Sequence, residues 1–116
     1  MINVPGVWGI YSLVFTLAVT VNAGIGLIAA YTTLINALVH VAQAIRMRSY
    51  NPGLITAIVL FVPASIWSIL TLSGSGTGFH ILGLTVGLLI HGLIVAHVVR
   101  RQRLTQRATV DKPTSP

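Results

Sequence analysis

No Lys, Arg, Asp or Glu occurs in residues 1–45. Arg46 and Arg48 follow, none occurs from Ser49 to Val99, and every remaining charge lies between Arg100 and Lys112. Seven basic residues and one acidic residue make up 7% of the 116-residue chain, against 54% hydrophobic residues and a mean hydropathy of +0.89. A soluble domain carries about 25% charge, and one this small leaves too much surface exposed for eight charges to cover in water. In lipid the backbone must satisfy its own hydrogen bonds, as helices do. The expected fold is therefore an all-α, polytopic membrane helix bundle.

A crossing needs about 20 apolar residues at 1.5 Å each. The uncharged stretches hold about four such spans, over residues 7–23, 27–47, 54–72 and 79–99, in one bundle covering 1–104. The first reversal is expected at Asn22-Ala23-Gly24-Ile25-Gly26, where Asn and two glycines give backbone freedom. Tyr50-Asn51-Pro52-Gly53 reads as a turn, because the residue before Pro avoids the helical region and Gly permits positive φ. Pro63 is expected to kink the third span by removing its own N–H. Ser73 to Gly78 reads as a flexible connector, and residues 105–116, with Pro113 and Pro116, as a disordered cytoplasmic tail.

Four spans put the 46–48 loop and the C-terminal tail on one side, which the positive-inside rule makes cytoplasmic. The expectation is a multi-pass protein of the cell membrane whose partner is the lipid bilayer. A net charge of +6 confined to these two places argues for topology rather than nucleic-acid binding. With no cysteine, thiol catalysis and thiolate ligands are excluded. Asp111 is the sole carboxylate side chain, so paired-carboxylate chemistry is unavailable from these residues alone.

Polar side chains at membrane depth are costly and are where function is sought. Asn36, His40 and Gln43 share one helical face, as do His80, Gly83, Gly87 and His91. Counted inward from Met47 and Val99, His40 and His91 lie at similar depth and are expected to meet. His97 lies nearer the basic end. These residues form a candidate intramembrane polar cluster, with His40 and His91 as candidate metal ligands, although a site normally needs three or four. Gly83-xxx-Gly87 allows close helix approach and is a candidate face for homo-oligomers. The plainer reading is that the polar groups tie helices together, each bond worth about 0.6 kcal/mol. Ser12, Thr16 and Thr20 read as hydroxyls bonded to their own backbone or a neighbouring helix, and Tyr11 and Tyr31 as interfacial anchors or packing residues.

The run Asn36-Ala37-Leu38-Val39-His40-Val41-Ala42-Gln43, followed by Tyr50-Asn51-Pro52-Gly53-Leu54-Ile55-Thr56-Ala57, resembles the HXXEE-domain family of bacterial integral membrane proteins. The resemblance covers roughly residues 31–72. In that family this stretch follows a His-x-x-Glu-Glu motif, and additional histidines have prompted the suggestion that members are enzymes. This chain contains no Glu, so the motif is expected on a missing N-terminal segment or lost. The resemblance implies metal-assisted chemistry in the parent protein, with zinc or iron possible if such a segment supplies further ligands. The alternative is a non-catalytic membrane bundle or assembly subunit, and a conducting bundle ranks last because the polar stripe covers half the bilayer.

Overall fold

The computed structural model describes residues 3–51 and 53–110, and the side chains of residues 9–51 and 53–107. Four helices account for nearly all of it: α1 (Asn3–Thr20), α2 (Gly26–Met47), α3 (Leu54–Thr71) and α4 (Thr77–Val110). No strand occurs among the described residues. Three helical stretches, Ala23–Met47, Leu54–Thr71 and Thr77–Arg107, are long and apolar enough to cross a membrane. The apolar part of α1 with described side chains, Gly9–Thr20, is shorter.

The exterior is apolar. Leu13, Val59, Trp67 and Leu93 are each more than 60% exposed, whereas Leu27 is the largest side chain that is fully buried among the described residues. Surface hydrophobes of this number would be a liability in water and match a hydrocarbon surround. The interior is narrow and made of small residues: Ala30, Ala37, Ala57, Ser65, Gly83 and Gly87 are all buried. Helix α2 lies centrally and packs on each of the other three.

Glycine contacts set the register. A Cβ on Gly83 would lie 2.7 Å from the Leu27 carbonyl oxygen, and one on Gly87 would lie 3.3 Å from the Thr32 nitrogen. Backbone therefore rests on backbone, with α4 running parallel to α2 and its residue numbers about 55 ahead. The close approach that the Gly83/Gly87 spacing predicts is made within the chain, to α2. An association of copies through that face would have to displace α2.

The turns differ from expectation in mechanism. Asn22 caps a short 3-10 turn, Ala23–Ile25, by accepting a 2.8 Å hydrogen bond from the Gly24 N–H. Neither Gly24 nor Gly26 has positive φ. Gly24 is required for space, since a Cβ there would lie 2.7 Å from the Phe79 ring. Gly26 faces Leu72, so both polar turns share one end of the bundle. The parallel register of α2 and α4 puts Arg46, Arg48 and the Arg100–Arg103 stretch at the other.

Pro63 acts upstream of itself. Residues Ala57–Phe61 form a π-helical turn, and the Val62 N–H donates to the Ala57 carbonyl. A wider turn relieves the clash a proline makes with the preceding turn. Helix α4 continues to Val110, well past the expected end at residue 99 and into the segment read as disordered. Residues 100–110 contain Arg, Gln, Leu and Ala, all good helix formers, and no Gly or Pro. The prolines that suggested disorder, Pro113 and Pro116, lie outside the described residues.

Candidate functional site

The polar side chains fall into three groups along the bundle. Near the turn-bearing end, the hydroxyl of Tyr31 is hydrogen bonded to His80 Nδ1 at 2.9 Å, with the rings edge to face, 5.9 Å apart and at 80°. Both are half-buried, so Tyr31 ties α2 to α4, the packing role of the two expected for it. Sequence reading missed this pair because Tyr reaches back along the helix, and spacing gives no cross-helix partner. Thr16 donates to the Ser12 carbonyl and Thr20 to the Thr16 carbonyl, the local bonding expected of these hydroxyls.

Near the basic end, His40 of α2 is tied to the turn that follows the helix. Its Nδ1 donates to Asn51 Oδ1 at 3.2 Å, and Asn51 Nδ2 donates back to the His40 carbonyl at 2.8 Å. Gly53, at φ +96°, lies under the ring, where a Cβ would be 3.2 Å from Cε1. The turn motif is thus a clasp around His40. Tyr50 is exposed, and Pro52 lies outside the described residues.

Between these groups lies a partly enclosed cavity of about 400 Å³. Its polar wall comprises Thr32, Asn36 and His91, together with the hydrogen-bonded pair Tyr11 and Thr33. Phe61, Ile90 and Ile94 form the apolar wall. His91 is 8% exposed, and its Nδ1 lies 2.9 Å from the Gly87 carbonyl oxygen. A carbonyl oxygen accepts, so Nδ1 carries the proton and Nε2 of the neutral ring is an acceptor. Thr32 Oγ1 is buried without a hydrogen-bond partner, as is Ser65 Oγ.

Of the expected cluster, the structure brings Asn36 and His91 to one cavity. The α2–α4 register sets His91 beside Asn36, whereas His40 is level with Val95, about one turn or 5–6 Å further along. Counting depth from Val99 assumed that α4 ends there, and this helix does not. Gln43 and His97 are exposed. No group of three or more His, Asp or Glu among the described residues could hold a metal ion. Two histidines fall short of the three or four ligands a zinc or iron site needs, and His40 is held by Asn51 about one turn from the cavity that His91 lines.

A family model described as a protein of unknown function with HXXEE motif matches residues 1–68. The chain belongs to the HXXEE family. The match takes in α1, α2, the Tyr50–Gly53 segment and α3 through Ser68. In HXXEE terms, Asn36, His40 and Asn51 lie in the matched region, whereas His80, His91 and His97 lie beyond it on α4. No curated protein and no solved structure matches the chain.

Proposed function

We propose that this HXXEE-family chain is an integral protein of the cell membrane, with its Arg46/Arg48 and Arg100–Arg107 ends on the cytoplasmic side. Its functional site is the cavity beside Asn36 and His91, which binds a small lipophilic molecule. The observation that carries this reading is a cavity of about 400 Å³ lined by Phe61, Ile90 and Ile94 together with the polar residues Asn36 and His91. Binding sites are mostly apolar concavities with a few placed polar groups. Metal-assisted chemistry, suggested by the family resemblance, would need ligands from outside these 116 residues.

The test is photolabelling of the reconstituted protein by a lipophilic diazirine probe, with unlabelled probe as competitor. Saturable labelling of the peptides carrying Phe61 and Ile90, lost in Ile94→Trp, is expected. Labelling that does not saturate and is spread over all lipid-facing helices would refute the site. The second reading, a non-catalytic bundle, is favoured by the internal bonding of Tyr11, Tyr31 and His40. It predicts no saturable labelling.

A further inference from the structure

Along α4, where the apolar segment gives way to the basic one, runs a groove of about 560 Å³. Gly92, Val95 and Val99 form its apolar half, and Arg100, Arg103 and Arg107 its basic half. On a helical wheel the three arginines fall within about 60° of one another, and each lies at least about 100° from Arg101. All three are exposed. A Cβ on Gly92 meets nothing within 4 Å, so no described part of the chain covers the groove there. The described residues contain no Asp or Glu, and none of them neutralises the arginine stripe.

Helix length fixes the level of the stripe. From the start of α4 at Thr77 to Val99 the helix is uncharged and about 35 Å long at 1.5 Å per residue, against about 30 Å of hydrocarbon. Arg100 therefore stands among the lipid headgroups, with Arg103 and Arg107 about 5 and 10 Å beyond it. Guanidinium groups pair well with phosphate oxygens. A zwitterionic lipid carries its own cation beside the phosphate, whereas an anionic one leaves its charge for the arginines. Each Lys or Arg near an anionic membrane surface is worth about fivefold in binding. A soluble anion would use the basic half of the groove and leave the apolar half empty, and a lipid fills both. Resting on the membrane reading above, we infer that this groove seats an anionic phospholipid, with an acyl chain along Gly92, Val95 and Val99 and its headgroup against the Arg100/Arg103/Arg107 stripe.

The experiment uses the full chain in phosphatidylcholine vesicles and two probes with a diazirine in the acyl chain, a phosphatidylglycerol and a phosphatidylcholine. The phosphatidylglycerol is expected to label the Gly92–Val99 segment at a half-saturating fraction about tenfold lower than the phosphatidylcholine. Two triple variants remove the same charge. Arg100→Gln with Arg103→Gln and Arg107→Gln strips the groove, and should lose most of the preference. Arg46→Gln with Arg48→Gln and Arg101→Gln takes three arginines of the same end that do not line it, and should keep most of the preference. Gln is a good helix former, so α4 persists in both. An equal loss in the two triples would make the preference a general effect of basic charge and overturn the seat. Competition by millimolar glycerol phosphate would make the occupant a soluble phosphate ester and also overturn it. Equal labelling by both probes, in vesicles from which alkaline carbonate does not extract the chain, would overturn the inference and leave the membrane reading standing. Extraction by carbonate would overturn both.

Discussion

His40 and Asn51 are joined by two hydrogen bonds running in opposite directions, one from the imidazole to the amide oxygen and one from the amide nitrogen to the His40 carbonyl. The second reaches a carbonyl seven residues before the end of α2, where the oxygen's two lone pairs allow it to accept a side-chain donor. His40 thus closes the reversal between α2 and α3 and stands apart from the cavity. Asn51→Ala removes both bonds and is expected to cost about 1–3 kcal/mol at roughly 0.5–1.5 kcal/mol each. Unfolding in detergent, followed by circular dichroism, would measure it. A loss below a few tenths of a kcal/mol would show that the clasp contributes little.

Gly83 and Gly92 provide a matched pair on one helix. A Cβ at Gly83 would meet the Leu27 backbone, while one at Gly92 meets nothing within 4 Å. Gly83→Ala should therefore push α4 from α2 and destabilise by about 1–3 kcal/mol. Gly92→Ala should be neutral or stabilise by up to about 1 kcal/mol. Thermal melts of the two variants side by side distinguish this from a general intolerance of glycine replacement.

Arg48 adopts φ 47° at the C-cap of α2, where Ser49 N–H donates to the Ala44 carbonyl and Arg48 N–H to that of Ile45. The left-handed conformation costs an ordinary residue about 1–2 kcal/mol, which glycine avoids. Arg48→Gly is expected to raise stability by about 1 kcal/mol, part of the relief being offset by glycine's greater freedom when unfolded. Denaturation midpoints of the two proteins check it.

Much of this was legible in the sequence. The charge-free stretches and the glycine, asparagine and proline turns mark where α2 and α3 begin and end to within a residue or so, because lipid excludes charge and breakers end helices. The small-residue spacing at Gly83 and Gly87 identified a packing face. Which helix it would meet was hidden, since hydropathy treats all apolar partners alike. The level of His91 was hidden for a related reason: it depends on backbone contact with Leu27 and Thr32, whereas counting from Val99 took the change in charge for the end of a helix. Tyr31–His80 and His40–Asn51 are cross-element bonds with no periodic signature.

The topology has its own test. The chain has no cysteine, so single cysteines placed at Ser49 and Thr105 are unique labels. A membrane-impermeant maleimide applied to oriented vesicles should reach both from the cytoplasmic face. Labelling from opposite faces would remove the parallel arrangement of α2 and α4.

The most direct measurement of the α2–α4 register is cross-linking of two double-cysteine variants with a short bis-thiol reagent in the membrane. The pair Asn36→Cys with His91→Cys is expected to cross-link efficiently, and the pair His40→Cys with His91→Cys, one helical turn out of step, weakly or not at all. Efficient linkage of 40 with 91 and none of 36 with 91 would contradict the register, and with it the cavity built on it.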